Sequence, residues 1–508
     1  MSKLKMFSNF ALAAALAVSP AAGGLFASPA MAEPAVELYG STFTIEEAVN
    51  DAIAAEIKKQ EGDIENMDEL AFVLNGVGNE DLARICTLYP NMTSLEIESE
   101  AVTNLAPLAK LRKLTSLELD VNAADFSPLA GLTALTSIDA QSKAMGPDLA
   151  WMSGMNKLES ISLYSEKPLS LKGLPSLPEL TVMSIHGAVI NDLSPLVEAM
   201  PALITLDLTG TALSDLTPLA RLENLKDLSL YGAKLKDFSP LAACPKLESL
   251  TYYGTEDADY ATLGKLTQIV KLNGGLTKLD NISWVANLPN LREFDVFAEY
   301  VTDYSPLAQT KVETFQIWNM RVPVGDLGEL GKVASLKVLS LWDVQEATNS
   351  KALAGLTNLE KITVTGFNNE EGNEPFDLNA AAGWGKVKEA RLEKAAFINS
   401  AGMKAMVGLI SLEFDEANLE SEQPLDLSFL GSLGKLETLT INESKVSNFE
   451  SAAALTALRY VYITKVEGIT SLAPLKKLPN LKRVTVSADA FPDTELAGFA
   501  DTVDINKE

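Results

Sequence analysis

The chain is poor in the residues that most chemistry needs. Among 508 residues there is one histidine, His186, and there are two cysteines, Cys86 and Cys244. No second histidine completes a metal pair, no Ser or Cys stands in a nucleophile motif, and there is neither a P-loop nor a glycine-rich dinucleotide turn. An enzyme is therefore not expected, and neither is a cofactor or a catalytic metal. Positive charge is also short, with 41 Lys and Arg against 68 Asp and Glu, a formal charge of −27. Phosphate binding needs clustered Lys and Arg, so nucleic acid is not an expected partner. The acidity reads as the solubilising surface of a long molecule. No transmembrane segment is expected, because no stretch after the N-terminus approaches the roughly 18 uninterrupted apolar residues of a span.

At the N-terminus, Lys3 and Lys5 precede a short apolar run over 10–18, and Ala30-Met31-Ala32 before Glu33 has the small-x-small form of a signal-peptidase site. Residues 1–32 are therefore expected to be a signal peptide that directs export to a periplasm or the cell exterior.

What dominates the remainder is repetition. Eighteen times between Leu95 and Val486 the chain repeats an apolar residue, two variable ones, then apolar-x-apolar, mostly at a spacing of 21 to 24 residues. Fixed-period self-similarity of this length belongs to solenoids. Each apolar-x-apolar unit predicts a short strand with two side chains inward and one outward. In the stretch from Asp215 to Leu230, leucines at 216, 219, 222 and 225 recur every three residues, the period of a 3₁₀ turn. Thr217 is the expected N-cap there and Pro218 the first helical residue. One repeat cannot bury its apolar faces alone, so neighbours must stack and the ends need caps.

The turn signal recurs as Asp125-Phe126-Ser127-Pro128, Asp192-Leu193-Ser194-Pro195, Asp237-Phe238-Ser239-Pro240 and Asp303-Tyr304-Ser305-Pro306. With its period of about 22 residues, this resembles bacterial internalin-type leucine-rich repeats over roughly residues 79 to 490. The resemblance implies an α/β leucine-rich-repeat solenoid, a curved right-handed coil with a parallel sheet on the concave face and short 3₁₀ or α turns on the convex one. It also implies a protein or peptide partner. Two features depart from the family pattern. The position five past the strand anchor, often Asn in such repeats, holds Asn122 but then Thr211, Ala233, Thr255, Ala395 and Ala417. No wall-sorting signal is visible either, so covalent surface attachment is not expected.

The expected layout is a helical cap over 33–91, a solenoid of about 18 repeats over 92–490, and a C-terminal cap over 491–508. Thr44-Ile45-Glu46-Glu47 reads as a capping box opening one cap helix, with a second helix around Asp68 to Leu74. Val503-Asp504-Ile505 reads as a truncated last strand. Both cysteines fall in inward slots seven strands apart, about 30 Å at 4.8 Å per strand. A disulfide is excluded at that distance, and both are expected to be buried free thiols. The acidic segment Asn368 to Glu374 matches no calcium-loop spacing, and metal binding is not expected there.

The residue three past each anchor points outward from the sheet. Along the array this column reads Glu98, Asp120, Gln141, Tyr164, His186, Thr209, Tyr231, Tyr253, Gly275, Phe297, Trp318, Trp342, Thr365, Glu393 and Asp415. Aromatics and the sole His gather in the middle, with acidic residues on both sides. Tyr164, His186, Tyr231, Tyr253, Phe297, Trp318 and Trp342 are the candidate partner-binding residues, because large exposed rings bury much area at little rotamer cost. Tyr252, Trp151, Trp284 and Trp384 fall in inward or turn slots and are expected to be structural.

Three readings remain open. In the first the column grips a protein or peptide, with the acidic flanks favouring basic patches. In the second its rings stack on sugars of a glycan or envelope polysaccharide. In the third the rings only pack on one another in a structural spacer. The chain is expected to be a bacterial, exported, monomeric interaction module.

Overall fold

The computed structural model describes residues 71–508 apart from 188–189, 191, 212, 254–257, 276–278, 298–299, 319–322, 368–373 and 489, together with the strands Ala35–Leu38 and Ser41–Thr44. One 22-stranded sheet runs the length of the molecule. Ala35–Leu38 pairs antiparallel with Ser41–Thr44 and with Ala71–Asn75, and the other twenty strands (22 less these first 2) run parallel.

The register follows the repeat without a slip. Leu95 stands opposite Leu117, Leu117 opposite Ile138, and so on through Leu250 with Leu272, Phe315 with Leu339 and Val461 with Val484. The long repeats obey the same rule, since Ile362 pairs with Ala390 and Leu412 with Leu439. In the second of these the extra residues fall between Asp415 and Leu425, outside the long sheet. A one-residue slip would throw the apolar set onto the outward face, so burial of the anchors holds the register. All of them are buried. The molecule is a leucine-rich-repeat solenoid with its core between the sheet and the turns.

Two of the twenty parallel strands lie beyond the eighteen. Asp504–Lys507 pairs in parallel with Arg483–Val486, Ile505 facing Val484, where a truncated last strand was expected. At the other end the structure corrects the reading of Asp68 to Leu74 as a helix. Ala71–Asn75 is a strand in which Phe72 and Leu74 alternate inward, and Phe72 faces Leu95. Alternation with period two outweighs helical spacing because the first repeat needs a partner strand. The helix comes after it, over Asn79–Leu88, burying Leu82, Ile85 and Cys86. Thr44 ends the strand Ser41–Thr44, and the rest of the capping box and its helix lie outside the described residues.

The turns are 3₁₀ helices such as Thr217–Arg221, with Leu216, Leu219, Leu222 and Leu225 buried every third residue. Their cap differs from expectation. Helix geometry starts at Thr217, one residue earlier than read, and the side chain that satisfies it is Asp215, whose Oδ1 accepts the Thr217 N–H at 2.8 Å. The same bond joins Ser127 to Asp125 (2.8 Å), Ser194 to Asp192 (2.8 Å), Ser239 to Asp237 (2.7 Å) and Ser305 to Asp303 (2.8 Å). The Asp of the motif is thus an Asx-turn acceptor for the first orphan N–H.

In the C-terminal half the turns gain short side ladders: Gly325–Asp326 with Ala347–Thr348, Phe376–Asp377 with Phe397–Ile398, and Leu425–Asp426 with Val446–Ser447. Each is clamped by an Asn on an Asp one repeat earlier, Asn349 on Asp326 (2.8 Å), Asn399 on Asp377 (3.0 Å) and Asn448 on Asp426 (2.9 Å). These asparagines take positive φ of 60°, 57° and 60°, a conformation Asn tolerates through local hydrogen bonding.

Candidate functional site

The register places the outward column in line. Tyr164 faces His186, Tyr231 faces Tyr253, and Trp318 faces Trp342 on adjacent strands. The Tyr231 and Tyr253 ring centroids are 5.1 Å apart at 46°, and those of Trp318 and Trp342 are 5.4 Å apart at 34°. Tyr231 is 44% exposed, and Tyr164, His186, Tyr253, Trp318 and Trp342 are half-buried. Phe297 ends the strand Glu293–Phe297 in register with Gly275, and its side chain lies outside the described ones.

The column is therefore not one continuous stack. Gly275 interrupts it, and a Cβ there would come within 3.0 Å of Tyr253 Cδ1, so the Tyr253 ring leans over the gap. Thr209 interrupts it between His186 and Tyr231; its Oγ1 donates to Asp207 at 2.6 Å. Tyr164 leans over Gly187, where a Cβ would meet its Cε2 at 3.3 Å, and its hydroxyl donates to Glu166 at 3.4 Å. Burial raises the Tyr253 pKa, aided by the Asp295 carboxylate. The indole N–H of Trp342 is shielded and has no hydrogen-bond partner among the described residues.

The four aromatics expected to be structural are buried. Tyr252 and Trp384 lie in the core, with the Trp384 indole donating to the Leu353 carbonyl at 3.0 Å. Trp151 and Trp284 fill turns, and Trp284 donates to the Asn281 carbonyl at 3.1 Å. Cys86 and Cys244 are buried free thiols whose pKa values burial pushes up to about 12 and about 11.

The two acidic flanks differ, which the sequence column does not distinguish. On the C-terminal side Glu393 is buried, ion-paired with Arg391 on its own strand, and accepts the Thr365 hydroxyl at 2.9 Å. Arg391 also reaches Glu413 at 3.6 Å, and Asp415 accepts from Asn442 at 2.5 Å. That flank is partly compensated from within, by one arginine among three carboxylates, and burial together with Glu393 and Asp415 still raises the Glu413 pKa against the pull of Arg391. The signal was present in Arg391, two residues before Glu393 and on the same face.

On the N-terminal side the outward positions of the strands from Ser94 to Tyr253 hold no Lys or Arg. Glu98, Glu118 and Asp120 are exposed. Burial and then the neighbouring carboxylates raise the pKa values of Glu118 and Asp120. Burial likewise raises that of Asp139, against hydrogen bonds from Ser162 and Gln141 and the field of His186. The strands at this end present a negative surface next to Tyr164 and His186, which Lys143, beyond the strand end, offsets only in part.

Among the described residues no three His, Cys, Asp or Glu side chains converge as metal ligands, and no helix is long and apolar enough to cross a membrane. Most of the acidic segment Asn368 to Glu374 lies outside the described residues.

No family profile matches the chain, and no curated protein does. Among solved structures it is similar to an internalin from Listeria monocytogenes at 19% identity, over 86% of this chain and 94% of that one, with a TM-score of 0.28. A leucine-rich-repeat protein of Leptospira interrogans is 15% identical over 83% of this chain and 86% of that one, with a TM-score of 0.36. TLR13 in complex with a single-stranded RNA is 16% identical over 87% of this chain and 74% of that one, with a TM-score of 0.46.

Proposed function

We propose that this solenoid is an exported, non-catalytic interaction module, monomeric on its own, that binds a protein or peptide on the outward wall of its sheet. Residues 1–32 serve as the leader, and the column Tyr164, His186, Tyr231, Tyr253, Phe297, Trp318 and Trp342 carries the contact. The observation that supports this most is the half-exposed Trp318 and Trp342 pair, held in register on strands whose other outward positions are mostly polar. Rings of this size on an outward face are what binding hot spots are made of. Left uncovered they are a liability.

The acidic N-terminal flank favours a basic partner through charge complementarity. The absence of Lys and Arg from the same strands argues against phosphate backbones. Sugar stacking on the two ring pairs is the second reading, supported by their spacing of 5.1 and 5.4 Å.

Salt separates the two. Purified protein is screened against envelope glycans and against basic proteins at low and high ionic strength. Capture that falls with salt supports the charge-assisted protein reading, and salt-insensitive capture of a glycan supports stacking on sugar. A spacer with no site predicts that replacing the rings changes nothing.

A further inference from the structure

Next to the aromatic column, at the N-terminal acidic end, the surface dips into a cavity of about 410 Å³. Asp120, Gln141 and Tyr164 stand in register on three successive strands along it, and Glu100, Asn122 and Lys143 also line it. The geometry points to a socket for an arginine side chain of the partner, with the guanidinium stacked on the Tyr164 ring and hydrogen-bonded to the Asp120 carboxylate. This rests on the reading of the sheet wall as a partner-binding surface and names what the partner must present there.

Four observations carry it. The first is the placing of a ring. Tyr164 leans over Gly187, where a side chain would crowd it, and its hydroxyl makes only a long, exposed contact to Glu166 at 3.4 Å. The same ring lines the cavity.

The second is an acceptor set that suits a planar donor. Asp120 offers two oxygens and the Gln141 amide a third, and neighbouring strands lie about 4.8 Å apart. A guanidinium carries five N–H donors in a flat fork and stacks on aromatic faces, whereas an ammonium is a strongly hydrated point charge.

The third is charge. Glu98, Glu118 and Asp120 stand together on adjacent strands, and partial burial first, then Glu98 and Glu100, disfavour ionisation of Asp120, with Lys143 opposing them. A cation seated there relieves that repulsion.

The fourth is that the chain itself draws a cation to the rim. Lys143 Nζ lies 3.7 Å from Glu100 Oε1, with both side chains largely exposed at 64% and 81%. So loose a pair leaves the Asp120 side open. It also makes Lys143 a weak competitor for the arriving guanidinium.

The contrast with the C-terminal flank strengthens the assignment. There Arg391 is built into the strand beside Glu393, whereas at the N-terminal end the nearby cation, Lys143, lies beyond the strand and reaches Glu100 only loosely. The same face therefore holds one acidic site filled by its own arginine and one open to an arginine from outside.

The test is fluorescence anisotropy of labelled hexa-arginine and hexa-lysine peptides titrated with the full chain, with circular dichroism confirming the fold of each variant. Hexa-arginine should bind more tightly than hexa-lysine. Asp120→Asn and Tyr164→Ala should each weaken hexa-arginine about threefold or more. Lys143→Gln should tighten it, a gain that a damaged fold would not produce. Unchanged hexa-arginine affinity in Asp120→Asn, or equal affinity for the two peptides, overturns the socket. The double substitution Trp318→Ala with Trp342→Ala separates this from the broader reading. If it abolishes partner capture while Asp120→Asn leaves hexa-arginine binding intact, the column stands and the socket falls. If Asp120→Asn weakens hexa-arginine while the tryptophan pair proves dispensable, the socket stands and the tryptophan contact falls.

Discussion

Trp318 stands beside Trp342 on the next strand of the sheet, ring centroids 5.4 Å apart and planes 34° from parallel. Each ring uses part of its surface on the other and leaves part to solvent. The contact is itself stabilising, and a double-mutant cycle with Trp318→Ala and Trp342→Ala should show a coupling of about 0.5–1.5 kcal/mol in urea unfolding. A coupling near zero would mean that the two rings do not pack in solution.

The turn cap is a separable element. Asp215→Ala should destabilise its repeat by about 0.5–2 kcal/mol, the usual cost of losing a side-chain acceptor at a helix start, and Thr217→Ala by less. Hydrogen exchange of the Thr217 and Leu219 amides checks the order. Thr217→Ala proving the costlier change would return the cap to the threonine.

Stability should pass through a maximum in mildly acid solution. Glu118, Asp120 and Asp139 have folded-state pKa values above their ordinary 4.5, 3.8 and 3.8, with burial the largest cause. The folded chain then binds more protons than the unfolded one between those values, so stability is gained as pH falls through this window. Asp192 and Asp237 are held below 3.8 by the backbone N–H groups of Ser194 and Ser239 and then by their hydroxyls. Their contribution is present above the ordinary value and is lost as pH falls through the depressed one. Melting followed by circular dichroism should therefore show Tm rising by on the order of 1–2 °C as pH falls from neutrality into the ordinary carboxylate range, then falling at stronger acidity. Glu118→Gln with Asp120→Asn should flatten the first limb. A Tm that declines steadily from pH 7 would contradict this assignment of charges.

Neither cysteine should react in the native state. Burial holds the Cys86 and Cys244 thiols near pKa values of about 12 and about 11, so thiolate is scarce at neutral pH. A chromogenic disulfide reagent should find no thiol in the folded protein and both after denaturation. Prompt native reaction at either site would show that its repeat opens or packs differently.

Much of this molecule could be read from its sequence because period-two alternation recurs every 22 residues or so, and alternation fixes which side chains turn inward. That alone places Tyr231, Tyr253, Trp318 and Trp342 outward and Tyr252 inward. Phe72 was missed although it lies 23 residues before Leu95, because apolar residues around it also fit helical spacing over a short window. The cap was assigned to Thr217 because Thr is a good N-cap, whereas a 3₁₀ start one residue earlier leaves the job to Asp215. The Asn ladder looked absent, yet Asn418, six past its anchor, bonds both the Phe397 N–H (2.7 Å) and its carbonyl (3.0 Å). The cavity beside Tyr164 was not legible at all, since it depends on how side chains from three neighbouring strands and the turns after them meet in space.

The measurement that bears most directly on the partner-binding surface is quantitative capture from the native envelope fraction, comparing the unmodified chain with the Trp318→Ala, Trp342→Ala double variant at matched fold and concentration. The account predicts that the partner retained by the unmodified chain falls at least about tenfold, the loss of about 1.4 kcal/mol expected when a central aromatic pair is truncated. Equal retention by the two proteins would contradict it.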